Sequence, residues 1–319
     1  MSGITAFGEI LIDFAPVSNG ADGYPVLAAH PGGAPANFLA AASRFGVKCS
    51  MIGKVGGDAF GRKLIETLKG QGIDTSGVRV SDDVFTTLAF VTVDASGERS
   101  FSFARKPGAD TCLTAEEVDK ALIDSADIFH FGTLSLTAEP SKSALEYAVE
   151  YAKSKGKLIS CDPNLRLPLW NNEKAAKEAM LWGLEKADIV KISDDEASFL
   201  FGLTPEESAA HILEKFGVKL VFVTCRANGC VFANRLGSDR LTALRGITVR
   251  DTTGAGDIFG GTAEACILRS GKSPEDLDPE ELRSICHIAG AAAGLSTERP
   301  GGISSIPSKD EVLEVLKGE

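Results

Sequence analysis

Short apolar runs alternate with amphipathic stretches along most of this chain, and that alternation restricts the fold more than any other feature of the sequence. Runs at 4–14, 47–55, 127–131, 157–161, 188–192 and 218–224 read as buried strands, and a further strand is expected at 241–249. Between them, helical spacing is expected from Pro35 to near Gly46, around Phe60, Leu64, Ile65 and Leu68, at 115–123 and at 139–154, with helices near 279–296 and 309–317 closing the chain. Such an order predicts an α/β fold, a mostly parallel central sheet with helices on both faces.

The rhythm breaks in two places. Val17 to His30 is small and polar and reads as a loop, while Thr86–Asp94 and Arg99–Arg105 read as hairpin arms joined by Ala95-Ser96-Gly97-Glu98. Phe101, Phe103 and Arg105 would share one face of the second arm. The organisation expected is a single domain over 1–319 with a small β-strand lid drawn from about 13–31 and 85–110.

Charge and cysteine content narrow the function classes. The chain has 319 residues, 44% of them hydrophobic, and a formal net charge of −11 with a pI near 5.0. A broad nucleic-acid or membrane-surface role is therefore not expected, and an anionic ligand must be held by a few placed groups. The seven cysteines form no C-x-x-C pair and no zinc spacing with histidine, which suits free thiols in a reducing, cytoplasmic setting. Neither an export signal nor a membrane anchor is expected.

The stretch Asp251-Thr252-Thr253-Gly254-Ala255-Gly256-Asp257 leads into an apolar helix, Ile258 to about Arg269. Gly254 and Gly256 let an anion approach backbone amides, and the helix adds its positive dipole end. A carboxylate beside such a site has a natural task in accepting the proton of a hydroxyl that attacks a bound phosphate, which makes Asp257 the candidate base. As plain local structure, Asp257 would be an N-cap. Two other phosphate motifs fail: Phe259 stands where a dinucleotide G-x-G-x-x-G needs glycine, and Cys266 where a Walker A loop ending at Gly271-Lys272-Ser273 needs its first.

With Pro31-Gly32-Gly33-Ala34-Pro35-Ala36-Asn37 added, the chain resembles the ribokinase-like (PfkB) carbohydrate kinases, and within them it is most similar to the fructokinases. Gly8-Glu9-Ile10-Leu11-Ile12-Asp13, Gly97-Glu98-Arg99-Ser100-Phe101-Ser102-Phe103, Thr137-Ala138-Glu139-Pro140 and the loop Asp162 to Trp170 carry that likeness. The resemblance implies a ribokinase-like fold and ATP-dependent phosphorylation of a sugar, D-fructose to D-fructose 6-phosphate. Asp257 would act as base with Gly254, Ala255 and Gly256 forming the anion hole. Asp13, Gly32, Gly33 and Asn37 would hold sugar hydroxyls, Phe90, Phe103 and Arg105 would close over the sugar, and Arg166 would sit near the sugar or the transferred phosphate.

Ser193, Thr224, Arg226, Gly229, Gly256 and His287 fall where the family binds ATP, and Glu196 would support Mg²⁺ through water. Two positions depart from the family pattern: Ser193 replaces asparagine, and Arg226 stands in place of a glycine. Asp251, Thr253, Gly301 and Ser305 match a monovalent-cation site of some relatives, which implies K⁺. The partners implied are a small sugar and ATP, with homodimer formation through the lid. The nearest rival is a 2-keto-3-deoxygluconate kinase, in which Arg105 and Arg166 would grip the substrate carboxylate; a non-catalytic kinase-like interaction protein is a rival of another class.

Overall fold

The computed structural model describes residues 3–93 and 99–318. Its large sheet takes β1 (Gly3–Phe7), β4 (Lys48–Gly56), β5 (Ile73–Asp74), β6 (Val78–Ser81), β9 (Ile128–Gly132), β10 (Leu158–Asp162), β11 (Ile189–Ser193), β12 (Leu220–Thr224), β13 (Cys230–Asn234) and β14 (Gly237–Leu241). A small sheet takes β2 (Leu11–Asn19), β3 (Pro25–Gly32), β7 (Leu88–Val93) and β8 (Arg99–Ala104). The large sheet runs β14-β13-β12-β11-β10-β9-β1-β4-β5, with β6 also on β4, and the small one β3-β2-β7-β8. All large-sheet pairs are parallel except β12 with β13 and β13 with β14. The expected α/β architecture is the one found.

Both faces of the large sheet are apolar. Ile4, Phe38, Met51 and Phe222 belong to the core on one side, and Phe7, Phe129, Phe131 and Val221 to the core on the other. Helix ends are set by local chemistry. Asp58 accepts from the amides of Phe60 and Gly61, Thr204 and Asp278 form capping boxes with Glu207 and Glu281, and Gly202, Gly217 and Gly271 close helices in the left-handed conformation.

Four elements differ from the sequence expectation. The single strand at 4–14 is two strands in different sheets, because Gly8, Glu9 and Ile10 cross between them. The crossing is tight: the Gly8 amide donates to Ile52 O at 3.1 Å, and a Cβ on Gly8 would meet Pro35 Cγ at 2.7 Å. The expected loop at 17–30 is largely strand, turning only where the Gly20 amide donates to Tyr24 O. No strand covers 242–249; there the chain loosens around Gly246, at φ 78°, and the Arg250 and Asp251 amides turn to Thr297 O at 2.8 and 3.0 Å. The helix expected at 115–123 is a 3₁₀ turn, Ala115–Glu117, followed by the helix Lys120–Ser125. The hairpin arms pair as expected, while their turn, 95–98, lies outside the described residues.

Candidate active site

β1 is the switch point of the large sheet: its neighbours are β4 on one side and β9 on the other, so the chain turns opposite ways on leaving it. Open α/β sheets bind ligands in the crevice beyond the carboxyl end of such a strand. Here that edge gathers Glu9 after β1, Asp162 at the end of β10, Ser193 at the end of β11 and Thr224 at the end of β12, with the helix Ala255–Ser270 arriving from the far end of the sequence.

That helix begins without a side-chain cap. Gly254 is its N-cap, at φ 77°, and Asp257 lies inside the first turn, so Asp257 is not the cap that local structure alone would make it. The Ala255 amide donates to Thr252 O at 3.3 Å, so of the three residues expected to form the hole, Ala255 fits least. Asn37 Nδ2 donates to Asp257 Oδ2 at 2.9 Å. A Cβ on Gly254 would lie 3.1 Å from that Nδ2, and one on Gly302 would lie 2.4 Å from Asn37 Oδ1, so only glycines let the amide sit here.

Two residues that the sequence reading passed over complete this end. Lys191 Nζ, on β11, donates to Asp162 Oδ2 at 2.9 Å, and a Cβ on Gly256 would fall 2.7 Å from the same ammonium. A lysine inside an otherwise aliphatic strand was the available signal, since a buried charge needs a partner. Burial works against the Lys191 charge, but Asp162, Glu196 and Asp257 together outweigh it and hold the ammonium above its usual value. Asp257 is half-buried, and the protein packed around it desolvates its carboxyl. That desolvation, with Asp162 adding, pushes its carboxyl up to about 7 against the opposing pull of Lys191, Asn37 and Arg166. The result is a carboxylate raised well above its usual range, beside a cation at the start of a helix, which suits proton acceptance next to a bound phosphate.

Asp13 stands on the small sheet facing this cluster. Burial pushes its carboxyl up to about 6, with Arg166 pulling down and Asp251 pushing up. A Cβ on Gly32 would fall 2.1 Å from Asp13 Oδ2, and one on Gly33, at φ 106°, would fall 2.3 Å from Glu9 O, so both glycines are required by close approach. Glu9 Oε1 in turn accepts from the Ala34 amide at the start of the helix Ala34–Arg44. The Arg166 guanidinium lies 5.8 Å from the centre of the Phe101 ring, and Phe101 stacks with Phe103.

Strand register separates Phe90 from Phe103. Ala89 pairs with both Asp13 and Phe103, whereas Phe90 pairs with Phe14 and Ser102. Because side chains alternate across a sheet, Phe103 shares the face of Asp13 and Phe90 takes the opposite one. There Phe90 stacks on Phe14 at 5.2 Å, and Phe14 meets Phe60 of the helix Ala59–Gly70. Arg105 is held by several partners. Its Nε and NH2 reach Asp110 Oδ2 at 2.8 and 2.7 Å, NH1 donates to Thr137 Oγ1 and NH2 to Leu134 O. Arg105 thus pins the end of β8 to the body and does not stand free over the crevice.

The expected nucleotide and metal residues are spread along the same edge. Ser193 and Glu196 form a capping box, and Glu196 Oε1 also accepts from the Leu165 amide at 2.6 Å. This carboxylate ties the loop after β10 to the helix after β11 and would reach a cation only through water. Thr224 Oγ1 donates to Ile192 O at 3.5 Å. Arg226 adopts φ 50°, the conformation that explains a glycine there, and its exposed guanidinium pairs with Asp195. Gly229 is enforced, since a Cβ would fall 1.8 Å from Leu241 O. His287 is half-buried on the helix Pro279–Ser296.

Asp251 Oδ1 accepts from the Thr253 amide and hydroxyl, and its Oδ2 from the Gly301 amide, while Ser305 Oγ donates to Gly302 O. Asp251, Thr253, Gly301 and Ser305 are therefore brought together. No group of three or more His, Cys, Asp or Glu side chains poised for a metal occurs among the described residues.

Residues 1–309 match the pfkB family of carbohydrate kinases. The chain belongs to that family. This pfkB-family chain is 40% identical over 318 residues to fructokinase-1 of Zea mays, covering 98% of the chain and 97% of that protein. The structure of a fructokinase with bound ATP from Xylella fastidiosa superposes with a TM-score of 0.91 at 30% identity, covering 99% and 98% of the two chains. A double mutant of the fructokinase of Vibrio cholerae O395, in its fructose-, ADP- and potassium-bound form, superposes with a TM-score of 0.87 at 28% identity, covering 99% and 98%. No helix among the described residues is long and apolar enough to cross a membrane.

Proposed function

We propose that this pfkB-family kinase transfers the γ-phosphoryl group of ATP to the 6-hydroxyl of D-fructose. The observation that carries the reading is the place of Asp257, in the first turn of a helix with no side-chain cap, held by Asn37 and flanked by Lys191. Asp257 accepts the proton of the attacking hydroxyl, while the Gly256 and Asp257 amides and the Lys191 ammonium face the transferring phosphoryl group. Catalysis then consists of alignment and charge neutralisation.

Asp13, Gly32, Gly33, Asn37 and Phe103 form the sugar side, with the small sheet as a lid. ATP runs along the strand ends past Ser193, Thr224 and Gly229 toward the helix that carries His287. Mg²⁺ enters with ATP and spreads charge over the phosphates, supported by Glu196 through water. Asp251, Thr253, Gly301 and Ser305 are assigned to K⁺. A second copy joins through the lid, whose Val17, Tyr24 and Val26 are exposed apolar side chains, and seven free cysteines fit a cytoplasmic, reducing setting.

Fructose is favoured over 2-keto-3-deoxygluconate because Arg105, one half of the carboxylate grip, is committed to Asp110. The test is a panel of fructose, glucose, ribose and 2-keto-3-deoxygluconate with Mg-ATP, in which fructose is expected to show by far the highest kcat/KM. Dominant turnover of the keto-acid would overturn the substrate assignment. Asp257→Asn is expected to lower kcat by roughly 10²–10⁴-fold with ligand affinities kept, and near-normal turnover would remove Asp257 as base.

A further inference from the structure

Seven positions beyond Asp257 and on the same face of its helix, Glu264 is buried, with 2% of its surface exposed. Its Oε1 contacts Ser160 Oγ, which lies 2.9 Å from His130 Nδ1, and the His130 ring lies flat on Phe38 with 3.6 Å between ring centres. Three of its four members share an element with a residue of the candidate site. Phe38 follows Asn37, Ser160 lies on β10 two positions before Asp162, and Glu264 shares its helix with Asp257. The helices Ala34–Arg44 and Ala255–Ser270 touch here, since a Cβ on Gly261 would fall 2.1 Å from Phe38 O. The buried chain is thus a second tier under the site, joining the same elements.

A charged Glu264 is poorly accommodated. Its Oε2 is buried without a hydrogen-bond partner. The groups facing it are Ser160 and Asp162 on β10 and His130 on β9, while Cys161 points to the opposite face of the sheet and Lys191 on β11 gives its hydrogen bond to Asp162. Burial pushes the Glu264 carboxyl up to about 8, and burial, with Lys191 adding, pushes the His130 ring down to about 3. Ser160 Oγ donates to Glu264 Oε1, and a neutral imidazole carrying its proton on Nδ1 donates to Ser160 Oγ in turn.

We propose that Glu264 is a positioning residue for phosphoryl transfer: as a neutral acid bridging the Ala255–Ser270 helix to β10, it sets the place of Asp257 relative to Asp162 and Lys191. This rests on the assignment of Asp257 as base. Small displacements of a reacting group are costly, so loss of the bridge should appear in kcat and little in KM.

The experiment compares Glu264→Gln and Glu264→Leu, with Ser160→Ala as a milder break of the same contact should the leucine variant fold poorly. Folding is checked by thermal melts, and kcat and both KM values are measured from acid to alkaline pH. Glu264→Gln, which keeps shape, neutrality and a donor, is expected to hold kcat within about threefold at pH 7 and to lose the wild-type decline above about pH 8. Glu264→Leu or Ser160→Ala is expected to lower kcat by roughly 10- to 100-fold with KM nearly unchanged. In an Asp257→Asn background that loss should largely disappear, because the bridge acts through Asp257. A folded Glu264→Leu or Ser160→Ala protein with wild-type kcat, identical alkaline limbs in wild type and Glu264→Gln, or a loss that persists in full beside Asp257→Asn each overturns the proposal. The Asp257→Asn single variant separately decides whether the base assignment stands.

Discussion

Asn37 and Asp257 are 220 positions apart in the chain, and Asn37 Nδ2 donates to Asp257 Oδ2 at 2.9 Å. The bond aims the carboxylate and favours its ionised form, opposing the burial and the Asp162 charge that push the group up to about 7. Since the ionised form is the proton acceptor, kcat is expected to fall as pH drops below about 7. Asn37→Ala removes a contact that lowers this value, so the acid limb of the kcat profile should move to higher pH. An unmoved limb would show that the amide does not tune Asp257.

Lys191→Met removes the ammonium beside Gly256 and leaves Asp162 without its ion-pair partner. A loss of roughly 10²–10³-fold in kcat is expected, the scale of deleting one preorganised charge-stabilising donor. The acid limb should shift upward here too, because Lys191 also favours the ionised Asp257. Steady-state kinetics across pH checks both effects, and an unchanged kcat would place Lys191 outside the chemistry.

Arg105→Ala is expected to act mainly on stability. The pair with Asp110 is buried, with side-chain exposures of 5% and 2%, and removing one partner of such a pair costs about 3–5 kcal/mol because the other charge is stranded. Denaturant unfolding reads this directly. A variant of full stability with only a raised sugar KM would instead restore Arg105 to the substrate.

The two phenylalanines of the small sheet should separate. Phe103→Ala, on the Asp13 face, is expected to raise the KM for sugar with ATP use unchanged. Phe90→Ala, stacked on Phe14, is expected to lower thermal stability by the cost of a large-to-small change at a half-buried ring, with sugar KM kept. Equal effects of both on KM would contradict the face assignment.

Much of this was legible from residue order alone. The β-α alternation specified a mostly parallel sheet, and the glycine-bracketed stretch before Asp257 specified a helix start. The break at Gly8 was not legible, because Phe7 and Ile10 to Ile12 form one apolar run whether the strand is continuous or passes between sheets. Nor could the sidedness of Phe90 and Phe103 be read, since alternation within a strand leaves the register between strands open. Ser193 to Glu196 did carry a readable signal, S-x-x-E at the head of a helix, which the acidic composition of the segment obscured. Lys191 and Asp162 meet only through strand adjacency, which local spacing does not encode.

The crossing at Gly8–Ile10 also bears on how such a protein can be re-engineered. Three residues separate β1 from β2, and a single residue, Gly33, separates β3 from the helix Ala34–Arg44. Asp13 and Gly32 travel with the small sheet, while Glu9 and Asn37 belong to the body within a few positions of the junctions. The small sheet is consequently not a cassette. Grafting it from a relative of different sugar preference would exchange part of the binding surface and leave the remainder behind, so recombination breakpoints that preserve function must fall outside residues 3–44 as a block.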